Sequence, residues 1–175
     1  MRNIVVAHMY AVLVVGTFLG LIPWGVIALL GYGHLGLGTA AVVAGVALAV
    51  GGAALSYSCM IVFVWRGRGT AFPTDPPKTF VAVGPYRYVR NPMYIGNLIL
   101  GLGVGLALQS ATYLGYVVVL AVACHLYIVL SEEPGLRVRF GDSYREYCSR
   151  IHRWLPGRPF VVALPASGQA APGTT

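Results

Sequence analysis

The chain has 175 residues, of which 57% are hydrophobic and only 10% charged, and its mean hydropathy is +0.73. A soluble domain carries about 25% charged residues, so composition alone excludes an ordinary water-soluble fold and makes this a membrane protein. The net charge of +7 lies at the N-terminus, between the second and third apolar runs and after the fourth, where it reads as a topology signal and an attraction to anionic lipid rather than to nucleic acid.

A bilayer core about 30 Å thick takes roughly 20 apolar residues per helix. Four runs free of Lys, Arg, Asp and Glu approach that length. The first covers residues 9–31 and is read as retained, because no small-residue cleavage site precedes Pro23-Trp24. The second covers residues 37–65, with a helical start near Ala40. The third, residues 94–108, is short and holds Gly96, Gly101, Gly103 and Gly105, so it either packs tightly on a neighbour or starts below the membrane surface. The fourth, residues 112–131, follows a short connection and should pair with the third as a hairpin.

Arg2 precedes the first run; Arg66, Arg68, Lys78, Arg87 and Arg90 follow the second; Arg137, Arg139, Arg145, Arg150, Arg153 and Arg158 follow the fourth. Residues 31–36 and 109–111 carry no charge, so both termini and the central loop are expected in the cytoplasm. Small residues recur at four-residue spacing in Gly16 and Gly20, in Ala41, Gly45, Ala49 and Ala53, and in Gly101 and Gly105. Such faces let helix backbones approach closely, which predicts an all-α bundle of four transmembrane helices, with a homodimer through the same faces as the alternative use.

Beyond the fourth run, Leu136, Phe140, Tyr144, Tyr147, Ile151 and Trp154 fall on three- and four-residue steps. This predicts an amphipathic C-terminal helix on the cytoplasmic membrane surface, its basic face toward headgroups. Gly141 and Asp142 should break it, and Ser143 with Glu146 suggests a capping box that restarts it near Tyr144. Residues 1–156 read as one domain and 157–175 as a disordered tail rich in Ala, Gly, Pro and Thr.

Two chemically dense segments, 84–97 and 131–156, flank the predicted hairpin and should meet at its open end. That would gather Tyr86, Arg87, Arg90, Asn91, Tyr94 and Asn97 with Glu132, Glu133, Tyr144, Tyr147 and Arg153. Arginine grips carboxylates or phosphates through paired hydrogen bonds, acids hold hydroxyls or an ammonium, and tyrosine faces take a cation or stack on a purine. Cys59, Cys124 and Cys148 are far apart, and His8, His34, His125 and His152 are scattered, so no disulfide framework or metal site is indicated.

The stretch GPYRYVRNPMYIG, followed after a hairpin by EEPGLRVRFGDSYREYCSRIHRWLP, resembles the membrane methyltransferases typified by isoprenylcysteine carboxyl methyltransferase and the phospholipid N-methyltransferases. The resemblance covers Gly84 to Pro156. It implies S-adenosylmethionine as methyl donor, held by Tyr86, Asn91, Pro92, Tyr94, Gly96, Glu132, Glu133, Tyr144 and Tyr147, with Arg90 and Arg153 as catalytic residues that orient an anionic acceptor or the donor's carboxylate. Glu133 is expected to hold a polar part of the donor. Asn91 stands where that family usually has His; it can donate and accept hydrogen bonds but cannot titrate. The implied acceptor is lipid-like or small and apolar, entering from the bilayer with a carboxylate, an amine or a thiol.

Each residue also has a plainer reading. Arg66, Arg68, Lys78 and Arg87 serve as topology determinants, Trp65 and Trp154 as interface anchors, and the tyrosines as an aromatic belt. Glu132 and Glu133 require partners wherever they sit, and a structural ion pair with Arg87 or Arg90 is the competing role. The alternative functions are a non-catalytic scaffold, a small transporter, or a quinone-linked thiol oxidoreductase. A coupling transporter wants an acid within a span and the oxidoreductase wants paired cysteines; neither is present in the sequence.

Overall fold

The computed structural model describes residues 8–9, 12–66 and 81–160. Helix α1 covers Val12–Leu30 and contains a π segment at Thr17–Leu21. Helix α2 covers Thr39–Arg66, a 3₁₀ turn covers Gly84–Arg87, α3 covers Pro92–Ala107 and α4 covers Ala111–Tyr127. A second π segment, Ile128–Glu132, carries α4 without interruption into α5, Glu133–Arg150. Among the described residues there is no strand beyond an isolated bridge between His34 and Ser110.

Among the described residues, three helices are long and apolar enough to cross a membrane: Val12–Leu30, Thr39–Arg66 and the continuous Ala111–Arg150. Helix α3 is shorter, with 16 residues, and rises about 24 Å at 1.5 Å per residue. Exposed Val12, Trp24, Leu29, Val50 and Val119 form outward faces suited to lipid.

The small residues of α2 and α3 meet each other within the chain. A β-carbon on Gly45 would lie 2.5 Å from the Ala107 nitrogen and 2.7 Å from the Gly103 oxygen. One on Gly96 would lie 2.8 Å from the Gly52 oxygen. These are backbone contacts that only glycine permits, so α3 packs closely against α2 through its glycines. Ser56 Oγ adds a hydrogen bond to Asn97 Oδ1 at 2.8 Å across the same seam. By contrast, β-carbons on Gly16 and Gly20 would meet nothing within 4 Å.

Helix α1 is tied to α4 by two phenols. Tyr113 donates to the Leu19 carbonyl at 2.6 Å and Tyr116 to the Phe18 carbonyl at 2.7 Å, both within the π segment, where the ordinary helical ladder is interrupted. At the end of the hairpin away from the charges, residues 31–38 fold over the α3–α4 turn. Gly31, Gly33, Gly36 and Gly38 have φ of 83°, 63°, 63° and 78°, a region other residues rarely enter. Their turns let Leu35 N donate to Gln109 O at 2.9 Å, Ala111 N to Gly33 O at 2.8 Å and Leu37 N to Gln109 Oε1 at 2.7 Å. Ser110 Oγ, Thr112 Oγ1 and the Tyr32 hydroxyl complete this clasp by donating to the carbonyls of Tyr32, Gly31 and Leu108.

Three expectations are corrected. The fourth apolar run does not end as a helix near residue 131, because the π segment continues it into α5. The expected break appears as a kink at Gly141, φ 53° and ψ −128°, but no Ser143–Glu146 capping box forms; Glu146 pairs with Arg150 at 2.9 Å. Residues 157–160, expected to begin a disordered tail, pack instead: Gly157 N donates to Tyr88 O and Phe160 N to Arg87 O, each at 2.8 Å, and Phe160 is buried. The rest of the expected tail, together with Arg2, Arg68 and Lys78, lies outside the described residues.

Candidate functional site

At the open end of the α3–α4 hairpin, two connecting segments are laid side by side, the first of them holding the 3₁₀ turn Gly84–Arg87. One is the loop 81–91; the other is a strap, residues 151–160, that leaves α5 and returns across that loop. Arg90 N donates to His152 O at 3.0 Å, and the Gly157 and Phe160 bonds join the remainder. Beneath them Ala82, Tyr144, Tyr147, Ile151 and Phe160 form a buried apolar cluster.

Tyr144 and Tyr147 therefore belong to the support of the site. Tyr147 donates to the Tyr86 carbonyl at 2.6 Å and meets the Phe160 ring edge-on at 5.4 Å. Tyr86 lies in a second cluster with Cys59 and Val81, its ring edge-on to Phe63 at 5.0 Å. Burial pushes its phenol well above the ordinary range, so it stays protonated. Pro92, fully buried, opens α3 where no backbone donor is needed, and Gly96 admits Ser56 against the helix.

The acids divide into two environments. The π segment adds a residue to the turn before α5, and both Glu132 and Glu133 find partners on the hairpin side. Glu133 is only 3% exposed. Its Oε1 accepts from Arg90 Nη1 at 3.1 Å and from Arg153 Nε at 2.7 Å, and its Oε2 accepts from Arg153 Nη2 at 3.0 Å. Arg137, one helical turn along, stands 3.7 Å from Oε2.

Glu133 lies beyond the uncharged part of the helix. Burial works against its charged form, but the hydrogen bond from Arg153 and the charges of Arg90, Arg153 and Arg137 outweigh it and hold the carboxyl below its ordinary value. The same hydrogen bond raises the Arg153 guanidinium. Arg90 Nη1 also contacts Cys148 Sγ at 3.2 Å, and its Nε is buried without a hydrogen-bond partner among the described residues.

Glu132 is partly exposed and has one neutral partner, Tyr94, whose hydroxyl donates to Oε2 at 2.8 Å. Its Oε1 has no partner among the described residues, and the same is true of Arg153 Nη1. Asn91 Nδ2 donates to the Arg153 carbonyl at 3.3 Å, which fixes the backbone of that arginine from the loop side. This contact needs only an N–H donor, which Asn and His both supply.

Arg90, Asn91, Tyr94, Glu132, Glu133 and Arg153 thus converge, Tyr86, Tyr144 and Tyr147 brace them, and Pro92 and Gly96 shape the helix that carries Tyr94. Arg87 turns away and donates from Nε to the Phe160 carbonyl at 3.3 Å. Sequence reasoning missed Arg137, Cys148, and the pair in which Trp154 Nε1 donates to His125 Nδ1 at 3.1 Å. The four-residue step from Glu133 to Arg137 and from Tyr144 to Cys148 was a usable signal for the first two. Nothing in the spacing of His125 and Trp154, 29 residues apart, announces that they meet.

A family model described as phospholipid methyltransferase matches residues 40–143, well over half of the chain. No curated protein matches, and no solved structure matches.

Proposed function

We propose, from the premise that the chain belongs to the phospholipid methyltransferase family, that it is an integral-membrane S-adenosylmethionine-dependent methyltransferase. Its acceptor is lipid-like or small and apolar, presenting an amine, a carboxylate or a thiol. The observation that carries this reading is the unequal use of two adjacent acids: Glu133 is enclosed by arginines, while Glu132 bonds only Tyr94 and keeps Oε1 open, and Arg153, which holds Glu133, keeps Nη1 open. An open carboxylate oxygen and an open guanidinium nitrogen in one cluster match the ammonium and carboxylate of an amino acid, and the donor carries both.

In this arrangement Glu132 takes the ammonium, Arg153 takes the carboxylate, and Glu133 acts through Arg90 and Arg153 by holding both guanidiniums in place. Bound there, S-adenosylmethionine supplies an electrophilic methyl group on a sulfonium. The chain's part is alignment. In-line displacement gains most from holding the reacting atoms in register, with effective molarities of about 10⁵ to 10⁸ M in oriented systems. Tyr94 fixes Glu132, Asn91 fixes the Arg153 backbone, and Tyr147 of α5 fixes the loop that carries Arg90. Asn91 takes no proton, which suits an acceptor that reaches the site already nucleophilic.

The same reading makes α3 a fourth, short span and places α5, the strap and the site at the cytoplasmic face, with one domain extending to Phe160. Support comes from the arginines of the open end, Arg66, Arg87, Arg90 and Arg137, against the uncharged clasp at the other end. Calorimetric titration of the purified protein with S-adenosylmethionine tests it. Saturable binding that weakens in Glu132→Gln and in Arg153→Ala is expected; a well-folded wild type that takes up no donor would falsify the reading.

A further inference from the structure

The strap is bonded to the loop 81–91 by backbone hydrogen bonds and to α5 by Arg153. Its one side-chain hydrogen bond to α4, among the described residues, is that from Trp154 to His125. The indole Nε1 is a donor only, so His125 Nδ1 must offer a lone pair, and the neutral imidazole then carries its proton on Nε2. The rings are tilted by 38° with centroids 6.0 Å apart, so the hydrogen bond, rather than stacking, defines the contact.

Trp154 directly follows Arg153. The carbonyl of Arg153 is held by Asn91 from the loop, and the next side chain is held by His125 from α4. Two anchors, one on the Arg153 carbonyl and one on the next side chain, constrain the direction in which the Arg153 side chain leaves the backbone, and that side chain ends on Glu133.

We propose that His125 is a positioning residue: through Trp154 it latches the strap to α4 and so sets Arg153 against Glu133. The bearing of this latch on methyl transfer rests on the function proposed above, but the latch itself does not. A polar histidine on an apolar helix is thereby accounted for, since the lone pair it offers to Trp154 is the useful group. Asn in its place can set an amide oxygen where Nδ1 stands.

The test is hydrogen exchange, followed by mass spectrometry, on the full chain in detergent micelles with no donor added. In His125→Ala, and equally in Trp154→Phe, the amides of Arg90, Gly157 and Phe160, which join strap to loop, should exchange about fivefold faster, as expected for the loss of one net hydrogen bond. His125→Asn should restore the wild-type rate. The double variant His125→Ala/Trp154→Phe should be no faster than either single one.

Wild-type rates in both single variants overturn the proposal. So does acceleration that spreads equally to the distant clasp at residues 31–38, which would mark a general loosening. So does failure of His125→Asn to rescue. Donor titration of the same proteins separates the two ideas: absent binding in wild type removes the enzymatic reading, while a local, rescued exchange response leaves the latch standing.

Discussion

Arg153 meets Glu133 through two parallel hydrogen bonds, 2.7 Å from Nε and 3.0 Å from Nη2, and the two residues stand twenty apart on either side of a kinked helix. The pair ties the strap to the start of α5, and it is buried enough that neither charge can be removed alone without consequence. Glu133→Gln leaves Arg90 and Arg153 facing a neutral amide. Breaking a buried pair on one side costs about 3 to 5 kcal/mol, so the variant should unfold at a markedly lower temperature in detergent. A melting curve like that of wild type would show that water already screens the site.

Glu132 should respond differently from its neighbour. Its partner is a neutral phenol and it is partly exposed, so Glu132→Gln is expected to melt close to wild type while losing donor affinity by about tenfold or more, the loss of a charge-assisted contact. Tyr94→Phe, which removes only the hydroxyl that orients Glu132, should show a smaller loss, about fivefold, in the same titration. Equal effects of Glu132→Gln and Glu133→Gln on both stability and affinity would contradict the division of labour between the two acids.

The stability supplied by the Arg153–Glu133 pair carries a pH signature. The Glu133 carboxyl is held below its ordinary value of 4.5, so the native state favours the charged form. That contribution is complete above the ordinary value and fades as falling pH drives the carboxyl toward protonation. The difference in melting temperature between wild type and Glu133→Gln should therefore be constant from about pH 8 to about pH 6 and shrink toward about pH 3. A difference that grows on acidification would mean the pair is not ionised.

Adjacent glycines on α2 make opposite predictions. A β-carbon on Gly51 meets nothing within 4 Å, whereas one on Gly52 falls 2.5 Å from the Gly96 oxygen. Gly51→Ala should be neutral or slightly stabilising, by up to about 1 kcal/mol from helix propensity. Gly52→Ala forces the α2 and α3 backbones apart and should cost about 1 to 3 kcal/mol, the range for overpacking. Because α3 carries Tyr94, the second variant should also weaken donor binding. Parallel melts and titrations of the two alanine variants decide this.

Much of the frame was legible because bilayer and backbone impose simple rules. Charge-free runs located the helices, the glycines of the third run announced a close partner, and the short Gln109 turn required the two dense segments to meet. The kink was legible from Gly141 with Asp142, but the capping box was not realised, because Gly141 alone leaves helical φ/ψ and Ser143 already lies within the helix, while Glu146 pairs with Arg150. Two features could not be read. A π segment has no periodicity of its own within a 3.6-residue pattern, so nothing foretold that Glu132 and Glu133 would find different partners on the hairpin side. The strap is held through backbone atoms, and backbone hydrogen bonds leave no trace in side-chain spacing, so residues 157–160 looked like the start of a tail.

The length of α3 has a consequence for traffic. At about 24 Å it is shorter than a hydrocarbon layer of about 30 Å. Its far end is sewn to the clasp; on the function proposed above, in which α3 is a span and the clasp lies at the opposite membrane face, the shortfall falls at the end where Arg90, Asn91 and Tyr94 begin. On the reading proposed here, those groups form a polar notch sunk below the headgroup plane. A lipid can then dip its reactive group into the notch while its acyl chains stay dissolved in their neighbours, and turnover carries no work of extraction.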